Sequence, residues 1–224
     1  MQTLAAMLRA SLWAQGLTPA QFDRVVADTK ERAVPAGAYV AHKGDPVEAW
    51  IGVIDGLVKM SSVSPAGKLV TFTGVTSGGW FGEGSLLKDP RRKYDVIALR
   101  DSRMAYLPRK TFHWLLDNSI PFNRFLLTQL NERLGQFIAL VEYDRMLEPD
   151  ARVARCLAAL FNPHLYPGTL RRLQISQEEI GHLSATSRQR CNEALRRLED
   201  AGLLRVEYGG VTILDVEGLR NFGA

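Results

Sequence analysis

The sequence predicts an α+β chain in three parts: an N-terminal antiparallel β-roll with flanking helices, a long helix, and a C-terminal winged helix-turn-helix. Three observations carry this. Between Ala33 and about Leu107, short β-branched and aromatic segments alternate with Gly and Pro. Their turn signals recur every ~8–12 residues, as in a sandwich, barrel or jelly roll. From Thr111 to Tyr143 the apolar residues take up helical spacing. Near the C-terminus, two short helical patterns with a tight turn between them precede a hairpin signal, which is the order of a winged helix-turn-helix.

Composition narrows the class. The 224 residues are 46% apolar and 23% charged, enough for one large domain or two modest ones. No apolar run approaches the ~18 residues that span a membrane. MQTLAAMLRASLWAQGLTP has no long apolar core with a cleavage site, so a cytoplasmic protein without a membrane partner is expected. The net charge of +4 permits a nucleic-acid partner. Every lysine precedes residue 111, and the last third of the chain uses arginine alone. Arginine's planar fork matches phosphates and guanine edges. Cys156 and Cys191 form no disulfide framework or CxxC pattern, and both are expected as free thiols.

The elements follow in order. Residues 1–32 read as helix in two pieces, broken at Gly16–Pro19, the second running from Ala20 to Arg32. The strand candidates lie in PAGAYVAHKGD, WIGVIDGLVKMSSV, PAGKLVTFTGV, SGGWFGEG and YDVIALRDSRMAYLPR. On the long helix Leu127, Leu130, Leu134, Phe137 and Val141 follow a 3-4-3-4 spacing, which is an apolar seam of the coiled-coil type. Glu148-Pro149-Asp150 marks a boundary, because Pro suits the first turn of a new helix. Domains are therefore expected at 1–110, 111–147 and 148–224. A helix from Asp150 to Phe161 leads into the loop NPHLYPG, and LRRLQI is a short strand candidate. Ser176 to Glu179 reads as a capping box, and the turn Ser184–Thr186 precedes a helix that Gly202 ends. LLRVEY, a turn at Gly209-Gly210 and VTILD form the hairpin.

Starting that second helix near Ser187 puts Arg188, Gln189, Cys191 and Asn192 in its first turn and a half. In helix-turn-helix proteins this part enters the major groove. Arg188 suits guanine and Gln189 adenine. Thr186, Ser187 and the backbone N–H groups of the helix start suit phosphates.

ISQEEIGHLSATSRQRCNEALRRLEDAGLL (residues 175–204) resembles the DNA-binding domain of the CRP/FNR family, the cyclic-AMP receptor protein and its relatives. PAGAYVAHKGD, GVIDGLVKM and GGWFGEGSLL resemble that family's β-roll, a cyclic-nucleotide-binding-like jelly roll. The long helix resembles its dimerisation helix. The resemblance implies a homodimeric regulator of transcription, not an enzyme, that binds two-fold double-stranded DNA and contacts RNA polymerase. It places base readout on Arg188, Gln189 and Glu193, beside Asn192, and phosphate positioning on Thr186, Ser187 and Arg190. It places dimerisation on Leu127, Leu130, Leu134, Phe137 and Val141.

The departures from the family pattern carry equal weight. Phe81, Gly82, Glu83 and Gly84 keep the first half of the cyclic-phosphate cassette. The second half becomes Lys93-Tyr94-Asp95, with a lysine where the family has arginine and an aspartate that repels phosphate. The Thr-Ser pair that meets adenine becomes Phe137-Ile138. Cyclic AMP is therefore disfavoured as effector, and Arg91, Arg92 and Lys93 form a basic turn that is either solvated or holds a small anion. With no cysteine before Cys156, an iron–sulfur cluster is not expected. His42 and His113 are the candidate haem ligands, each more simply structural. The family pattern Ser-Arg-Glu-Thr-Val-x-Arg becomes Ser187 to Glu193, so one guanine contact is expected to survive within a half-site that differs from TGTGA. Cys191 is expected on that same side of the helix. The scattered histidines and the lack of G-x-S-x-G, P-loop or H-E-x-x-H motifs argue against an enzyme.

Overall fold

The computed structural model describes residues 2–88 and 91–223. Helix α1 (Leu4–Ala10), a short 3-10 turn (Leu12–Ala14) and α2 (Pro19–Asp28) open the chain. Thr18 and Gln21 cap α2 reciprocally, which satisfies two otherwise orphaned N–H groups. The roll follows as β1 (Lys30–Val34), β2 (Tyr39–Ala41), β3 (Ala49–Asp55), β4 (Leu57–Val63), β5 (Leu69–Thr76), β6 (Trp80–Phe81), α3 (Glu83–Leu87), β7 (Asp95–Ala98) and β8 (Ser102–Pro108). Two four-stranded antiparallel sheets, β1-β8-β3-β6 and β2-β7-β4-β5, enclose one apolar cluster that includes Val53, Val58, Val75, Phe81 and Met104.

Helix α4 (Arg109–Asn118) and the 27-residue α5 (Ile120–Met146) close the roll. A second core fixes them there. Trp13, Trp50, Trp80, Phe112 and Phe122 are all buried, and the Trp13 ring lies 5.1 Å from Trp80 at 89°, an edge-to-face geometry that aromatic quadrupoles favour. The C-terminal part comprises α6 (Pro149–Ala159), β9 (Arg172–Leu173), α7 (Gln177–Leu183), α8 (Arg188–Asp200), β10 (Leu204–Glu207), β11 (Gly210–Ile213) and α9 (Val216–Asn221). The order of a winged helix-turn-helix is thus present. Its core gathers Val153, Leu157, Ile180, Leu195, Leu198, Val211 and Leu219.

Four local expectations are corrected. The helix expected to reach Arg32 stops at Asp28, because Lys30–Val34 pairs with β8, and that ladder outweighs the helical pattern of KERAV. The helix expected from Thr111 to Tyr143 breaks at Ser119, whose hydroxyl caps α5 by accepting from the Phe122 N–H. Only half of the box at Ser176 forms: Ser176 accepts from the Glu179 N–H, while the Glu179 carboxylate accepts from Lys59 of the roll at 2.7 Å. The hairpin turns at Tyr208-Gly209 rather than Gly209-Gly210, and Gly210 pairs with Glu207 inside the ladder. Within NPHLYPG, Leu165 and Tyr166 are buried, Tyr166 against the roll core.

That last contact joins the two halves of the molecule. The Tyr166 hydroxyl donates to Gln136 of α5 at 3.2 Å, and the Gly168 N–H donates to the Ser77 carbonyl at 3.1 Å. A Cβ on Gly79 would lie 2.9 Å from the Tyr166 ring, so only glycine lets the ring seat.

Candidate nucleic-acid interface and effector pocket

Helix α8 is held by its inner face. Cys191, Ala194, Leu195 and Leu198 are buried at helical spacing against α6 and α7. Burying each leucine contributes ~1.5–3 kcal/mol. This leaves the outer face uncovered. Ser187 is the N-cap, and its hydroxyl accepts from the Arg190 N–H. Arg188, Gln189 and Arg190 are exposed. Arg188, Gln189, Asn192, Glu193 and Arg196 line one shallow concavity. Within it the Glu193 carboxylate accepts from Gln189 at 3.2 Å and Arg190 at 3.0 Å. Those bonds hold the Glu193 carboxyl below its ordinary pKa, the Arg190 bond most. The Asn192 Oδ1 is buried and makes no hydrogen bond. The Thr186 hydroxyl is bonded to Ser184 at 2.8 Å, so only its remaining valence is available to a phosphate.

Arg196 was missed as a member of this surface. Its place two turns along α8, like that of Arg197, suggests only flanking the DNA-facing end or pairing with Glu193 and Glu199. Instead Arg196 shares the outer face, and the signal was present in the i, i+4, i+8 spacing of Arg188, Asn192 and Arg196. Arg197 pairs with Asp150 of α6, and Glu199 accepts from the Val206 N–H of the wing. Cys191 is also corrected: it points into the core rather than to the reading side.

The turn before α8 carries a cost. Ala185 has φ 52°, the one non-glycine with positive φ among the described residues. The left-handed region costs an L-residue ~1–2 kcal/mol that glycine avoids. Ala185→Gly is expected to raise stability by ~0.5–1 kcal/mol in urea denaturation. An unchanged or lower midpoint would contradict this.

The second site is the pocket between the roll and α5. Phe81 is a core residue and Glu83 is buried. Gly82, at φ 98°, is the N-cap of α3, a conformation that requires glycine. Arg133 of α5 reaches in, and its Nε lies 2.7 Å from Glu83 Oε1. The other Glu83 oxygen accepts from the Trp50 indole at 3.2 Å. Burial alone would lower the Arg133 pKa, but Glu83, with Tyr166 and Tyr94 adding to it, outweighs burial and raises it. Burial, with Glu83 adding to it, pushes Tyr94 up to about 12.

The expected cassette register is corrected here. Lys93 and Gly84 are exposed, and the buried cation is Arg92, packed against Gly82 and donating to the Ala49 carbonyl at 3.4 Å. The strand β7 fixes this register by pairing Asp95 and Val96 with β4. Phe137 belongs to a different place, a cleft shared with β5 and α7.

Comparison with known proteins decides the family. The cyclic nucleotide-binding domain family matches residues 31–119, and the Crp-like helix-turn-helix domain family matches residues 151–222. The chain belongs to the CRP/FNR family of transcription regulators. It is 28% identical to the cyclic AMP receptor protein of Thermus thermophilus over 200 residues, covering 88% of this chain and 90% of that protein. It is 26% identical to the CRP-like cAMP-activated global transcriptional regulator of Mycobacterium tuberculosis over 220 residues, covering 95% of this chain and 96% of that protein. FixK2 of Bradyrhizobium japonicum shares the fold with a TM-score of 0.73 at 16% identity, covering 88% of this chain and 98% of that one. In this CRP/FNR-family chain, then, α8 belongs to the DNA-binding domain and the pocket to a cyclic nucleotide-binding domain. Like its relatives it is a transcription regulator, not an enzyme.

Two further features belong to this family member. No helix among the described residues is long and apolar enough to cross a membrane. Both thiols are buried; burial pushes Cys191 up to about 11 and Cys156 to about 12 from an ordinary 9.0. The raised pKa means the fold favours the protonated thiol. That contribution is complete below pH ~9 and is lost as pH rises through ~9–12. Urea midpoints are therefore expected to fall above pH 9 and iodoacetamide labelling at pH 7.5 to be far slower than for glutathione. Fast labelling of the folded protein would contradict this.

Proposed function

We propose that this CRP/FNR-family regulator binds a two-fold DNA site as a homodimer and that its effector is not cyclic AMP. The observation that carries the DNA reading is the uncovered N-terminal half of α8, an outer face of Arg188, Gln189, Asn192 and Arg196 on a helix whose inner face is locked in a core. Arg188, Gln189 and Glu193 read bases; Thr186, Ser187 and Arg190 position the helix on phosphates. The similarity to cAMP-activated transcription regulators supports the same role.

The dimer reading rests on α5. Its inner face buries Phe122, Leu126 and Gln129, while Leu127, Leu134, Phe137, Ile138 and Val141 stay 40–69% exposed along an adjoining face, with Leu130 half-buried between them. Such a stripe on one long helix is covered by a second copy. Two reading helices would then lie ~34 Å apart, one turn of DNA. RNA polymerase is the further partner; on the loop 161–168 it finds Pro163, Pro167 and Gly168 exposed.

The effector reading rests on Glu83, whose two oxygens are already taken by Arg133 and Trp50. A nucleotide ribose would have to share Glu83 with both of them. One observation favours a second reading, a cyclic-nucleotide-responsive regulator: Arg92 is a buried cation beside Gly82.

Sedimentation and fluorescence anisotropy on a labelled duplex test both. The expected result is a dimer whose DNA affinity falls steeply with salt and is unmoved by cyclic AMP. A monomer, a salt-independent affinity or a requirement for cyclic AMP would overturn the reading.

A further inference from the structure

We propose that the centre of the α8 outer face selects the exocyclic amino groups of adenine and cytosine, through Glu193 and Gln189, so that methylation of those amino groups blocks DNA binding. This rests on reading α8 as the helix that enters the major groove, and it gives that surface a chemical preference and a sensitivity of its own. Helix periodicity places the two side chains. Cys191, Ala194, Leu195 and Leu198 are buried. At ~100° per residue, Gln189 and Glu193 fall on the line opposite them, one turn apart. Arg188 and Arg196 lie to one side of that line, and Arg190 to the other. Gln189 and Glu193 line the same concavity as Arg188 and Arg196. When such a helix lies in the major groove, its central line is deepest, against the base edges.

That central line is built to accept. The Arg190 bond, and after it the Gln189 bond, hold the Glu193 carboxyl below its ordinary pKa, so at neutral pH it is ionised and only accepts. One of its oxygens accepts from Arg190 at 3.0 Å and the other from Gln189 Nε2 at 3.2 Å. A carboxylate has about four acceptor positions, so these two bonds do not fill it. Because Glu193 takes an N–H, the Gln189 amide turns its nitrogen toward Glu193 and its Oε1 away. Gln189 is exposed, and the Glu193 side chain is 38% exposed. Acceptors therefore occupy the middle of a face whose flanks carry arginines. An exposed ion pair adds little to stability, so the bond to Arg190 does not by itself account for a carboxylate at the centre of a surface that meets DNA.

The base edges supply the matching donors. In the major groove the hydrogen-bond donors are the amino groups at adenine N6 and cytosine N4, while guanine O6 and N7 and thymine O4 accept. Glu193 and the Gln189 Oε1 pair with the first set and repel the second. Each amino group spends one N–H on its partner base and points the other into the groove. A methyl on that nitrogen takes the place of the groove-side hydrogen while base pairing is kept. The carboxylate is then desolvated against a methyl with no donor to meet it, which is costly for a charged acceptor.

The test uses the full-length protein in two steps. Selection of bound duplexes from a randomised pool, for wild type, Glu193→Ala and Gln189→Ala, shows which base pair loses preference in each variant. Fluorescence anisotropy then compares the selected duplex with one carrying N6-methyladenine or N4-methylcytosine at that pair. Methylation is expected to weaken wild-type binding at least about tenfold and binding by the matching variant less than about threefold. The same methyl at a pair outside the half-sites is expected to change neither. Thermal melts identify a variant that fails to fold, and the other variant then decides. No base pair altered in either folded variant, a wild-type loss below about threefold, or an equal loss in wild type and matching variant would each overturn the proposal. Each of these leaves the enriched sequence, and with it the DNA reading, in place. No enriched sequence for the wild type would overturn both.

Discussion

Replacing Arg133 with methionine is expected to destabilise the protein by ~3–5 kcal/mol, the usual cost of removing one partner of a buried ion pair. Glu83 is almost wholly enclosed, its side chain 3% exposed, and Arg133 is the cation paired with it. Methionine keeps the length of the stem but leaves that carboxylate facing only the Trp50 indole. The loss should be specific to the pair. Glu83→Gln added to Arg133→Met is expected to restore much of the stability, because a neutral amide tolerates the pocket. Urea denaturation of the two single variants and the double variant measures the coupling. A loss under ~1 kcal/mol, or strict additivity, would mean the pair is not what closes the pocket. Arg133 also lies on α5, so this ion pair ties the roll to the helix on which the dimer is built.

The second large effect belongs to the reading helix. Arg188→Ala is expected to cost ~1–3 kcal/mol of specific affinity per half-site and to relax preference at one base pair. In a two-fold complex the change occurs twice, so the whole-site loss should reach ~2–6 kcal/mol. Arg190→Ala should behave differently. Its guanidinium is bonded to Glu193, and as a phosphate contact it should weaken all sequences alike. Anisotropy on a specific and a scrambled duplex separates the two patterns. Equal loss on both duplexes for Arg188→Ala would remove it from base readout.

The fold was largely legible because its signals are local. The alternation of β-branched residues with Gly and Pro, the seam from Leu127 to Val141 and the caps at Ser176 and Ser187 each act over a few residues. What was not legible depends on partners distant in sequence. Lys30–Val34 becomes a strand only because β8 lies beside it. Glu179 leaves its own capping box because Lys59 is 120 residues away in sequence but within 2.7 Å. The cassette was read one residue out of register, so Lys93 stood where Arg92 is buried, because pattern alone cannot see which basic side chain β7 turns inward. Arg133 carried no signal at all. It lies between seam residues, and its role appears only when Glu83 is found beneath it. At the reading helix the residue types were legible, but the inward turn of Cys191 and the place of Arg196 beside Arg188 and Asn192 follow from the packing of α8.

The central claim is that α8 of a homodimer reads a two-fold DNA word of its own. Selection of bound duplexes from a randomised pool tests it most directly. The expected outcome is an inverted repeat, with half-site centres ~10 base pairs apart, that keeps one guanine for Arg188 and departs from TGTGA beside it. Recovery of unaltered TGTGA repeats, or of no enriched sequence, would contradict the account.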